Sequence, residues 1–69
     1  DEALRRLDTF LGEALRRDRD VVVIHHGHGG GILRAAVREH LERQGFVRAL
    51  RPGLTAEGGD AVTVAWLDP

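Results

Sequence analysis

The sequence predicts a small α/β domain, on three observations. Leu4, Leu7, Leu11 and Ala14 recur at the three-to-four spacing of one helical face. The runs "VVVIH" and "AVTVAWL" are apolar and β-branched, as buried strands are. Between them Leu33, Ala36, Val37, His40 and Leu41 mark a second helical face. With a short "FVRAL" strand the order is α-β-α-β-β. A strand ahead of residue 1 would complete β-α-β-α-β-β, with a right-handed crossover on each parallel connection. The 69 residues are therefore read as one domain, 1–69, with that first strand missing.

The elements follow in order. Helix one is expected over about 2–17. Phe10 and Leu15 flank its apolar face, and Arg5, Arg6, Asp8, Glu13 and Arg16 fill the other. "RDRD" is a polar connection. "VVVIH" lacks alternation, which predicts a strand covered on both faces or central in its sheet. Helix two is expected over about 31–44. Gly45 is placed to take a left-handed position after it, with Phe46 closing a Schellman contact. "RPGL" starts a turn, "TAEGGD" is a loop, and "AVTVAWL" is a buried strand, with Trp66 in the core or, alternatively, serving as a base-stacking surface.

Composition removes several chemistries. With no cysteine there is no disulfide, zinc ribbon or thiol nucleophile. With no serine there is no Ser-His-Asp triad within this chain. No apolar run approaches the roughly 18 residues of a membrane span, so the expected setting is the cytoplasm. All ten basic residues are arginine. The net charge of −1 hides a gradient: residues 21–53 carry five arginines against Glu39 and Glu42, and residues 54–69 carry three acids and no arginine. The basic centre coincides with all four histidines, where a polyanion fits.

The stretch "HHGHGGG", His25 to Gly31, joins a strand to a helix. Glycines permit positive φ and close backbone approach. The first turn of a helix offers unpaired N–H groups and a partial positive charge, which together bind anions. Residues 31–38 hold no acid but do hold Arg34 and Arg38. Cations there are mildly unfavourable, by roughly 0.3–1 kcal/mol each; a bound anion reverses that sign. The spacing is not the dinucleotide fingerprint, whose third glycine would fall at Ile32, nor a Walker A loop, since no Lys-Ser/Thr pair follows. A ligand-free turn is the plain alternative.

The histidines admit several readings. A metal site would have to draw on His26 and His28, with no carboxylate between Val21 and Arg38. An acid–base histidine beside a phosphate suits phosphodiester cleavage. His25 is expected to be a buried, hydrogen-bonded core residue, and so is His40 on the apolar face of helix two. Arg34 is either a phosphate clamp or a solvated residue. Arg48 and Arg51 extend the basic surface or are simply solvated. Asp60, after Gly58-Gly59, is either catalytic or a turn organiser.

"VIHHGHGGGILRAAVREHL" resembles the H-G-x-G-x-G-x-L-R segment of the Smr (small MutS-related) domain. "EGGDAVTVAWL" resembles that family's closing G-G-x-G-x-T-x-V-x-L stretch, and "EAL…LDTFL" its first helix. The chain is closest in kind to the C-terminal domain of the second class of bacterial MutS homologues. The resemblance implies a two-layer β-α-β-α-β-β fold, similar to the C-terminal domain of translation initiation factor three, with the last strand antiparallel in the sheet interior. It implies a sequence-nonspecific nicking endonuclease on a MutS-like ATPase that binds branched DNA and restrains homologous recombination. Alternatively the domain binds nucleic acid without cutting, or acts on RNA at stalled ribosomes. A divalent metal such as magnesium is a candidate cofactor, with no metal ligands assigned.

By position, His26 matches the motif histidine and takes the catalytic role. Gly27, His28, Gly29, Gly31, Arg34 and Arg38 take the phosphate-binding roles. His28 stands where lysine is common, and Ala61 replaces a glycine. The family's L-D-x-H/R-G motif, with an aspartate as catalytic partner, would precede residue 1. Without that strand the edge of Val21–His25 is expected to be open to self-association.

Overall fold

The computed structural model describes residues 2–68. Helix α1 spans Glu2–Arg16 and α2 spans Ile32–Glu42; strands β1, β2 and β3 span Val21–His25, Val47–Pro52 and Val62–Leu67. The strands lie in the order β1-β3-β2, with β3 antiparallel to both. The expected small α/β architecture, with the last strand inside the sheet, is what forms. No helix among the described residues is long and apolar enough to cross a membrane.

Both helices cover one face of the sheet. Leu7, Leu11 and Ala14 of α1 meet Val37 and Leu41 of α2 over Val22, Ala65 and Leu67. The helical spacing read in the sequence is therefore the packing face. On β1 only Val22 is fully buried, while Val21 and Val23 are more than two-fifths exposed. This corrects the expectation of a strand covered on both faces. β1 pairs with β3 on one side, and no other described strand lies on its second side. A groove there, between α1, β1 and the start of α2, is lined by Leu7, Phe10, Val23, Ile24, Leu33 and Val37.

The expected left-handed Gly45 is also corrected, because Gly45 is not among the residues with positive φ. Helix α2 instead ends in tight bonds, Arg43 N–H to His40 O and Gln44 N–H to Leu41 O. The Gln44 side chain donates to His40 O at 3.1 Å. A side-chain donor thus satisfies a terminal carbonyl that a Schellman turn would otherwise have served.

Trp66 lies on the sheet face away from the helices, half-buried, with the Arg51 guanidinium 5.4 Å from its ring centroid. It is not a core residue, because its position alternates with the inward-facing Ala65 and Leu67. Arg51 also pairs with both oxygens of Glu57, at 2.8 and 3.2 Å, and Glu57 accepts from Leu54 N–H at 2.6 Å. Chiefly the Arg51 bonds, then the Leu54 N–H, lower the Glu57 carboxyl from 4.5 to about 2. A folded-state value below the unfolded one gives stability that is present above pH 4.5 and lost as the pH falls toward 2. Glu57→Gln should therefore lower the urea unfolding midpoint at neutral pH and converge on the parent as the pH falls toward 2, flattening the acid limb in that window. An unchanged acid limb would refute the assignment.

Candidate nucleic-acid interface

Strand alternation places Val22, Ile24 and His26 toward the helices, and Val21, Val23 and His25 away from them. His25 is exposed, which corrects its expected place in the core. His26 is half-buried just past the end of β1 and faces inward. The N–H groups of His26 and Gly27 both donate to Ala61 O, at 3.1 and 2.9 Å, pinning the loop to the start of β3. Ala61, in place of glycine, keeps that close backbone contact.

The loop then turns through left-handed Gly27, Gly30 and Gly31, at φ of 79°, 72° and 84°. Gly31 N–H donates to His28 O at 2.9 Å. Gly31 is also the N-cap of α2, with no side-chain capping bond, and the first turn of that helix holds no acid. The bulk of a Cβ at Gly31 would press on the Arg34 guanidinium, which folds back over the helix start. His28 and Gly29 are exposed on the loop.

Five side chains converge beside this loop. Arg34 Nη1 lies 2.6 Å from Asp60 Oδ2, and Arg38 Nη2 lies 3.0 Å from Asp60 Oδ1. Arg38 Nε donates to Thr63 Oγ1 at 2.8 Å, and Arg38 Nη2 reaches Val62 O at 3.4 Å. Thr63 Oγ1 is also 2.8 Å from His26 Nε2, and His26 Nδ1 is 3.0 Å from Gly27 O. The Arg38 hydrogen bond, aided by the charges of Arg34 and Arg38, holds the Asp60 carboxyl below its ordinary range. Arg34 in the first turn of α2 and Arg38 one turn further on are thus offset by an anion brought in from another loop.

Comparison with known proteins decides the family. Residues 1–68 match the model of the Smr domain. This chain belongs to the Smr domain family. The chain is 43% identical over 67 residues to the endonuclease MutS2 of Staphylococcus epidermidis, matching 97% of this chain and 9% of that protein. It is 42% identical over 64 residues to the endonuclease MutS2 of Listeria welshimeri, matching 93% of this chain and 8% of that one. The crystal structure of the Smr domain of Thermus thermophilus MutS2 superposes with a TM-score of 0.94 at 40% identity, over 99% of this chain and 85% of that one. The Smr domain here thus spans less than a tenth of the curated relatives it matches.

Of the residues singled out in sequence, this Smr domain gathers His26, Arg34, Arg38 and Asp60, with His28, Gly29 and Gly31 on the loop beside them. Gly27 and Gly31 supply turn geometry, since their N–H groups are already bonded within the chain. Arg48 and Arg51 lie on β2, at the sheet edge opposite β1. His40 is half-buried and satisfied, with Nε2 2.6 Å from Asp8 Oδ1. Thr63 is the participant that sequence reasoning passed over. It is 0% exposed and is the buried polar residue among the described residues. Its signal was a lone hydroxyl inside "AVTVAWL", in step with the inward-facing Ala65 and Leu67. Among the described residues no group of three His, Asp or Glu side chains is gathered to hold a metal ion. Asp60 is the carboxylate of this cluster, and both its oxygens are engaged by arginine.

Proposed function

We propose that this Smr domain is a sequence-nonspecific endonuclease module that nicks DNA. In this reading it is carried on a MutS-like ATPase in the cytoplasm, engages branched DNA and restrains homologous recombination. The observation that carries the reading is the joining of His26 to Arg34 and Arg38 beside an uncapped glycine start of α2. Arg34 and Arg38 neutralise a phosphodiester, the exposed His28–Gly29 crest approaches it, and the start of α2 adds its dipole. His26 provides acid–base or phosphate-stabilising chemistry. Nothing in this set reads base edges, so affinity comes from the backbone and falls with salt. The names of the relatives as endonucleases support the class of reaction. The open edge of β1 is a place for a further strand or for self-association.

The test is nicking of supercoiled plasmid, by the domain alone and within its parent chain, with and without magnesium. His26→Ala should lower the nicking rate by roughly 100- to 10,000-fold while plasmid binding persists. A His26→Ala protein that nicks like the parent refutes the role. Binding without cleavage in every condition would favour a non-catalytic nucleic-acid module instead. Cleavage of RNA but not DNA would redirect the same site to RNA.

A further inference from the structure

We infer that the His26 ring, in its neutral form, carries its proton on Nδ1 and meets its ligand as a hydrogen-bond donor through Nδ1–H, and that Thr63 is the positioning residue that fixes this tautomer. The inference deepens the nuclease reading and rests on it for the role of the ring, but the tautomer itself follows from the hydrogen-bond chain.

Both ends of that chain have only one possible polarity. Arg38 Nε can only donate, and it donates to Thr63 Oγ1 at 2.8 Å. Gly27 O can only accept, and it lies 3.0 Å from His26 Nδ1. A neutral ring has one N–H and one lone pair, and the partner of one nitrogen decides the state of the other. The proton must therefore sit on Nδ1 to serve Gly27 O. Nε2 then presents its lone pair to Thr63, 2.8 Å away, and the Thr63 hydroxyl donates into it. The opposite tautomer sets two lone pairs against each other between Nδ1 and Gly27 O. It also takes from the Thr63 proton its acceptor at Nε2.

Burial makes the arrangement directional. Thr63 is fully enclosed, so Nε2 points into the protein. Asp60 holds the Arg38 guanidinium at 3.0 Å, and Arg38 in turn fills one acceptor site of the hydroxyl and leaves its proton aimed at the ring. Nδ1 lies on the exposed side, at the loop. The lone pair that a general base needs is thus occupied from within, while the N–H faces the site. Moving that N–H from Gly27 O to a phosphoryl oxygen requires no change in protonation. The ring would stabilise negative charge as it develops on phosphate, as a preorganised donor does.

The experiment is two-bond 1H–15N correlation of the histidine rings at about pH 8, above the usual imidazole range, in the parent, Thr63→Ser, Thr63→Val and Arg38→Gln. His26 should show a pyrrole-type Nδ1 and a pyridine-type Nε2 in the parent and in Thr63→Ser. Thr63→Val should move the ring toward protonation at Nε2. Arg38→Gln, which frees the hydroxyl to turn, should move it the same way and decides the point if Thr63→Val does not fold. In plasmid nicking Thr63→Val should lower turnover roughly 10- to 100-fold, as loss of a ring-orienting partner does elsewhere, with little change in substrate affinity, and Thr63→Ser should restore it. A parent ring protonated at Nε2, or variants that leave the tautomer untouched, would overturn the inference. The expected spectra in a chain that cuts no nucleic acid would refute the nuclease reading and leave the tautomer standing.

Discussion

Leu41→Ala is expected to remove about 2–5 kcal/mol of folding stability. Leu41 is 0% exposed and belongs to the cluster in which α2 meets α1 over the sheet. Truncation loses the transfer free energy of the deleted carbons and leaves a cavity that the two helices can only partly close. A domain of this size carries roughly 3–10 kcal/mol in total. The substitution therefore consumes a large share of it, and the melting temperature should fall by on the order of 10 °C or more. Ile32→Ala is the matched control. Ile32 is 82% exposed at the start of the same helix, so its truncation should stay within about 0.5 kcal/mol. Urea unfolding of both variants checks the pair, and equal losses would mean that α2 does not pack as described.

That contrast shows what a periodic pattern reveals. Leu7, Leu11, Val37 and Leu41 could be assigned to the core from spacing alone, because a helix has one period and one buried face. The strands yielded less. The apolar "VVVIH" run predicts a strand covered on both faces or central in its sheet, yet Val21 and Val23 face outward and are partly exposed. Apolar content does not say what lies beside an edge strand. Alternation was the better guide, since it separates exposed His25 from inward His26 and outward Trp66 from inward Ala65. Helix ends were the least legible. Gly45 looked like a left-handed cap, but the Gln44 side chain did that work, and such competition between two polite solutions is decided by a few contacts.

The candidate site was legible in part. The glycine loop, His26, Arg34 and Arg38 stand close together in the chain, and the family resemblance singled them out. Thr63 and Asp60 come from segments more than twenty residues further on. Antiparallel pairing of β1 with β3, with His25 opposite Val62, brings that strand start to the loop. Only this register turns a lone threonine in an apolar run into a partner for histidine. The sequence weighed Asp60 as a turn organiser or a catalyst. In the fold it is the counter-anion of two arginines, a role that depends on long-range placement.

Nucleic-acid affinity should respond in opposite directions to charge changes on the two sides of that ion pair. Arg34→Glu with Arg38→Glu is expected to weaken plasmid binding by on the order of 10- to 100-fold at low salt and to lower the slope of log affinity against log salt by about 2, the loss of two phosphate contacts. Because Arg38 also supports Thr63, Arg34→Glu alone is the cleaner variant: its guanidinium pairs with Asp60 and does not bond Thr63. It should lower the slope by about 1. Asp60→Asn should do the reverse. Its carboxylate occupies the guanidinium groups that a phosphate would use, and its negative charge repels the same ligand. Removing that charge releases Arg34 and Arg38 and should strengthen binding, while dichroism confirms that each variant folds. If Asp60→Asn weakens binding as much as Arg34→Glu does, the carboxylate orients the arginines rather than competing for them. If neither the double reversal nor Asp60→Asn changes affinity, the basic cluster is not the nucleic-acid surface and its ion pairs serve only to join α2 to the start of β3.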